Sequence, residues 1–120
     1  MDSSNIEQIQ EITLETSIEE QILYKEPFEN SFTVYTKSGC KFCTEVKKLL
    51  KLSNIFFQII DCDDYILENK QQFLDFIQTK TSAQIKTFPM VFNEKQIFIG
   101  GYVDTEKYLE AKLTFDDDTF

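Results

Sequence analysis

Two short apolar runs, Phe32-Thr33-Val34-Tyr35 and Ile55-Phe56-Phe57-Gln58-Ile59-Ile60, flank a segment in which Phe42, Val46, Leu49 and Leu50 recur at helical spacing. That order leaves the chain few ways to fold. Aromatic and β-branched residues favour extended backbone. The stripe between the runs buries one face of a helix from about Cys40 to Leu52, with Lys47, Lys48 and Lys51 on its other faces. Strand, helix and strand then close as a parallel pair with a right-handed crossover. Thr36-Lys37-Ser38-Gly39 ends the first strand, and Ser53-Asn54 makes the next turn. Asp61-Cys62-Asp63-Asp64 supplies N-cap candidates for a second helix reaching to about Lys80.

The second half has a different grammar. Pro89-Met90-Val91-Phe92 and Gln96-Ile97-Phe98-Ile99 are short strands around the polar turn Asn93-Glu94-Lys95, which predicts a hairpin. Gly100-Gly101 closes it, and Asp104 is placed to cap a last helix carrying Tyr108, Leu109 and Leu113. The whole order predicts an α/β domain whose four-stranded mixed sheet has helices on both faces, a thioredoxin-like architecture.

At 120 residues, 42% of them hydrophobic, the chain can bury one core without disulfide staples. Its acidity is unevenly spread. Net charge is −9, yet residues 31–115 hold ten carboxylates against eleven lysines, while residues 1–30 hold eight carboxylates and one lysine. The expected organisation is therefore an acidic N-terminal extension over 1–30, a domain over 31–115 and an acidic tail over 116–120. In the extension Ile6, Ile9, Ile12, Ile18, Ile22 and Leu23 are spaced for an amphipathic helix that stops before Pro27. The segment is expected to pack on the domain or fray from it, the alternatives being contact with a partner and partial disorder. The acidic balance argues against a nucleic-acid partner, because phosphate-backbone affinity comes from Lys and Arg. The start Met1-Asp2-Ser3-Ser4 lacks leader signals and no run suits a bilayer, so no membrane association is expected. Three cysteines cannot all pair within the chain, which favours a reducing compartment and a cytoplasmic location.

The chain has no histidine, so Ser-His-Asp and Cys-His mechanisms are closed to it. What remains is Cys40-Lys41-Phe42-Cys43, set where a strand hands over to a helix. There Cys40 meets unpaired backbone N–H groups and the positive end of the helix dipole, which favour a thiolate. In such motifs a thiol falls from about 8.5 to roughly 3.5–7.5. Lys37 and Lys41 add positive charge. Cys43 lies one turn deeper on the same side, so Cys40 is expected to attack and Cys43 to resolve. Zinc needs four ligands, and Cys62 alone cannot complete a set begun by this pair, so no metal is expected. Cys62 itself is expected to be an inert, buried thiol.

Taken together, Tyr35-Thr36-Lys37-Ser38-Gly39-Cys40-Lys41-Phe42-Cys43, Thr87-Phe88-Pro89 and Gly100-Gly101-Tyr102-Val103-Asp104 resemble the three signatures of glutaredoxins, in their order and context, over about residues 31–113. The resemblance implies a glutathione-dependent enzyme that reduces protein disulfides and glutathionylated thiols, with glutathione as cosubstrate and no permanently bound cofactor. It also implies a cis Pro89. Phe88 would offer its backbone N–H and C=O to the cysteinyl part of glutathione, as in strand addition. Lys37 would hold the glycine carboxylate, with Gln78 or Lys86 as a second-helix candidate beside it. The Val103 amide and Asp104 would take the γ-glutamyl end, where Gly101 permits close approach; Thr87 and Phe42 complete the lining. The chain departs from the family pattern at Lys41, where a proline is usual, and at Phe42, where a tyrosine is usual. Two other readings of the motif are a thioredoxin-type reductant and a [2Fe–2S] carrier using Cys40 and glutathione thiolates.

Overall fold

The structure, a computed structural model, describes residues 24–85 and 87–118, with side chains to residue 112. Its elements are β1 (Phe32–Thr36), α1 (Lys41–Leu52), β2 (Phe57–Asp61), α2 (Asp63–Gln78), β3 (Met90–Phe92), β4 (Phe98–Gly100) and α3 (Tyr102–Asp118). The sheet order is β2-β1-β3-β4. β1 runs parallel to β2, with Val34 opposite Ile59, and antiparallel to β3, with Val34 opposite Val91. β3 and β4 form the hairpin. This is the thioredoxin-like α/β arrangement expected from the sequence, with three helices.

Strand alternation divides the core in two, because successive side chains point to opposite faces. Phe32, Val34 and Val91 pack with Val46 and Leu50 of α1 and Leu109 of α3. Tyr35, Ile60, Met90 and Phe92 face the other way, onto Phe73 and Ile77 of α2. Residues 24–31 lie across this second layer. The Tyr24 ring meets those of Tyr65, Phe76 and Phe73 at centroid distances of 4.9, 5.2 and 5.6 Å. The Tyr35 hydroxyl donates to the Lys25 carbonyl at 2.7 Å, and Gln96 donates to that of Pro27 at 2.6 Å. Glu26 pairs with Lys80. The amphipathic helix expected over residues 1–30 falls largely on residues outside those described.

Three local expectations need correction. The second helix is not continuous: Asn69 is extended (φ −163°, ψ 90°) and its side chain accepts from the Gln72 N–H at 3.0 Å, capping a new helical segment from Lys70. An asparagine side chain competes well for orphan N–H groups, and here it wins over the helix. The hairpin loop is longer than the expected three residues. Asn93 Oδ1 accepts from the N–H groups of both Lys95 and Ile97, at 2.8 and 3.0 Å, which moves the start of β4 to Phe98. Finally, α3 begins at Tyr102, so Asp104 sits within its first turn rather than at the cap, and the helix runs on to Asp118.

Candidate active site

The turn between β1 and α1 is held by its own side chains. Gly39 has φ +68°, a left-handed conformation that glycine adopts without cost, and open space surrounds its Cα. Ser38 is tied to the start of α2: its N–H donates to Asp63 Oδ1 at 2.8 Å and its hydroxyl donates to Oδ2. These bonds hold the Asp63 carboxyl below its usual range, the Ser38 hydroxyl contributing most, then the Ser38 N–H, with Lys37 adding attraction against a small burial effect. The loop therefore delivers Cys40 in a fixed position.

Cys40 is the N-cap of α1, with extended backbone (φ −106°, ψ 106°), and its sulfur accepts from the Cys43 N–H at 3.1 Å. That donor and the helix N-terminus are aimed where a sulfur anion would form. The two cysteines are joined as a disulfide, with Cα atoms 5.2 Å apart. Their exposures differ: Cys40 is half-buried, whereas Cys43 keeps only 2% of its surface. An incoming thiol reaches the outer sulfur. Cys62, the N-cap residue of α2, is fully buried in the core layer beneath that helix, with its S–H directed at the Ile60 carbonyl 3.5 Å away. Burial foremost, and then the neighbouring Asp61 carboxylate, push its thiol up to about 12.

A cleft opens beside the disulfide. The Phe88–Pro89 peptide is cis, and the Phe88 ring stacks parallel to that of Phe73 at 6.2 Å, which seats the Thr87-Phe88-Pro89 segment on the α2 layer. Phe42, half of its surface exposed, stacks on Tyr102 at 5.8 Å. Between these rings a cavity of about 250 Å³ is lined by Thr87, Phe88, Pro89, Gly101, Val103 and Asp104. A second cavity, about 590 Å³, continues past Phe42, Thr87 and Phe88 to Lys37, Ile66 and Lys70. The groove thus has two ammonium groups at one end and a carboxylate at the other.

Lys37, Phe42, Thr87, Phe88, Pro89, Gly101, Val103 and Asp104 all border this groove, beside the Cys40–Cys43 disulfide. Gly100 carries a requirement the motif alone does not reveal: its φ is +138°, and a Cβ there would come within 2.6 Å of the Cβ of Asp104. Gly100, rather than Gly101, is the position that admits only glycine. Three further lining residues, Ile66, Lys70 and Tyr102, were not among those expected. Tyr102 stands in a motif with no role of its own assigned, and Ile66 and Lys70, four residues apart on α2, line the groove together. Gln78, one of the two second-helix candidates, is occupied elsewhere, donating to the carbonyls of Thr81 and Ala83 at 2.9 and 2.7 Å. The other, Lys86, lies outside the described residues. No group of three or more His, Cys, Asp or Glu side chains is placed to hold a metal ion among the described residues.

The glutaredoxin family profile matches residues 32–101. The mitochondrial glutaredoxin-2 of Pongo abelii is 33% identical over 86 residues, covering 71% of this chain and 50% of the relative. The chain thus spans about half the length of the curated relatives of this kind that it matches. Among solved structures, glutaredoxin 1 from Francisella tularensis complexed with cacodylate is 27% identical, with a TM-score of 0.61, covering 70% of this chain and 96% of that one. A buckwheat glutaredoxin–glutathione complex is also 27% identical, with a TM-score of 0.52, covering 71% of this chain and 74% of that one. Fold, disulfide position and the matched span agree: the chain belongs to the glutaredoxin family.

Proposed function

We propose that this protein is a glutathione-dependent thiol–disulfide oxidoreductase acting on protein disulfides and glutathionylated protein thiols. The observation that carries the reading is the polarity of the groove beside Cys40, with Lys37 and Lys70 at one end and Asp104 at the other. Glutathione has the complementary order: a glycine carboxylate, a central cysteine, and a γ-glutamyl end bearing an ammonium. Lys37 and Lys70 take the carboxylate, and Asp104 faces the ammonium. The backbone of Phe88 pairs with the cysteinyl residue as an added strand would. The buckwheat relative's complex with glutathione supports this assignment.

The reaction is two thiol exchanges. The Cys40 thiolate attacks the glutathione sulfur of a protein–glutathione mixed disulfide; a new Cys40–glutathione S–S bond forms, the old S–S bond breaks, and the protein thiolate leaves and takes a proton from solvent. A second glutathione, as thiolate, then attacks the glutathione sulfur of that intermediate, releasing oxidised glutathione and restoring the Cys40 thiolate. With a protein disulfide as substrate, Cys43 displaces the protein from Cys40 and the internal disulfide forms, which two glutathiones reduce. The buried, unpaired Cys62 suits a reducing compartment. Among the described residues no helix is long and apolar enough to cross a membrane. Cell fractionation separates the cytoplasm from the mitochondrial location in the name of the Pongo relative.

The test is glutathione-coupled turnover of Cys40→Ser and Cys43→Ser. Cys40→Ser abolishes all activity; Cys43→Ser keeps deglutathionylation and loses protein-disulfide reduction. An inactive Cys43→Ser protein that remains folded reverses the roles assigned.

A further inference from the structure

A separate cavity of about 550 Å³ touches Cys40 and shares only Lys37 with the groove described above. Its wall is polar, formed by Lys37, Lys41, Thr44 and Lys47 together with the two cysteines, and Asp61 is its one lining carboxylate. Neither Lys41 nor Lys47 is ion-paired among the described residues, whereas Lys48 lies 3.9 Å from Glu45. The cavity is therefore basic, with three lysines against one carboxylate in its wall. α1 holds four lysines and one glutamate in twelve residues, on a chain of net charge −9.

Its place relative to the reacting sulfur says what passes there. When glutathione fills its groove, the polypeptide half of the mixed disulfide has to lie outside that groove, its residues beside the cysteine passing over the remaining surface around Cys40. The lysine-lined cavity is part of that surface, with Cys40 itself in its wall. These lysines attract an acidic partner and orient its approach to Cys40.

Resting on the function proposed above, we infer that the Lys37–Lys41–Lys47 cavity is the docking surface for the polypeptide half of the substrate, and that it selects target cysteines flanked by acidic residues. Because Lys47 borders this cavity and not the glutathione groove, a charge reversal there sorts peptides by their charge, and any effect on the Cys40 sulfur is read separately with hydroxyethyl disulfide.

The experiment uses the full chain and three glutathionylated peptides that differ only in the residues beside the cysteine: acidic, uncharged or basic. Turnover is read as kcat/KM at low and at high salt, for wild type and Lys47→Glu, with hydroxyethyl disulfide as the uncharged small substrate. The acidic peptide should exceed the basic one by about tenfold at low salt, at the weak end of electrostatic steering, and the gap should close at high salt. Lys47→Glu should remove or invert the order while hydroxyethyl-disulfide turnover is kept. Equal turnover of the three peptides, or an order unchanged by Lys47→Glu, overturns the inference. A rise in turnover of all three peptides on Lys47→Glu also overturns it, because the chain's own residues 1–23, with six carboxylates and no lysine, would then be the occupant. Failure to turn over hydroxyethyl disulfide at all tells instead against the glutathione-dependent activity.

Discussion

Replacing Gly100 by alanine separates two glycines that look equivalent in the chain. At φ +138° an alanine is strained, which costs about 1–3 kcal/mol. Its Cβ also collides with the Cβ of Asp104 at 2.6 Å, and because that atom is fixed to the first turn of α3, backbone has to move. Overpacking of this kind adds about 1 kcal/mol or more. A total near 3 kcal/mol corresponds to a fall in Tm of roughly 10–20 °C for a domain of this size. Gly101→Ala is the control. Its Cβ would meet only the Pro89 carbonyl oxygen, at an ordinary 3.6 Å, so its cost stays within about 1 kcal/mol. Thermal unfolding followed by circular dichroism measures both variants. The KM for a glutathionylated peptide should also rise in Gly100→Ala, since Asp104 is displaced from the groove. A Tm for Gly100→Ala within 2 °C of wild type, taken as roughly the effect of half a kcal/mol, or equal losses in the two variants, refutes the reasoning.

Other consequences are quicker to check. The Ser38 bonds lower the Asp63 carboxyl in the folded state; a depressed carboxyl stabilises the fold above its unfolded value of about 3.9 and loses that contribution as pH falls through the folded value. The stability gap between wild type and Asp63→Ala, from urea midpoints, should therefore be full at pH 7 and narrow below about pH 4; a gap independent of pH contradicts the linkage. Cys62, buried and raised to about 12, should resist iodoacetamide in the native reduced protein at pH 8 and react only after urea is added. Labelling of Cys62 before unfolding contradicts its placement. Lys70→Gln should raise the KM for glutathionylated peptide about tenfold, the effect of losing one charge-assisted bond of about 1.4 kcal/mol, while Gln78→Ala leaves it unchanged; the reverse pattern returns the glycine-carboxylate contact to Gln78.

The strands and the first helix were legible because their apolar residues repeat at periods of two and 3.6, and the core uses those residues: Phe32, Val34 and Val91 on one face, Tyr35, Met90 and Phe92 on the other. Cys40, the Thr87-Phe88-Pro89 segment and Asp104 were legible as motifs, though the cis peptide came from resemblance alone. What escaped depends on side chains acting on backbone. Asn69 breaks α2 by accepting the Gln72 N–H, and nothing in a polar stretch distinguishes that asparagine from one that stays helical. Lys70, four residues after Ile66, lines the groove beside it, and nothing in that polar stretch marks one lysine as a groove residue. Asn93 lengthens the hairpin loop in the same way, by accepting two N–H groups. The positive φ of Gly100, two residues before α3 begins at Tyr102, is a backbone angle that no spacing of residues encodes.

The central claim is that a sulfur nucleophile at the head of α1 stands beside a groove built for glutathione. The direct measurement is the stopped-flow rate at which the reduced protein attacks one carrier peptide bearing a mixed disulfide with either glutathione or mercaptoethanol. Glutathione should react about tenfold faster or more, the factor that a gain of 1.4 kcal/mol confers. Equal rates for the two would leave the groove with no role in recognition and contradict the account.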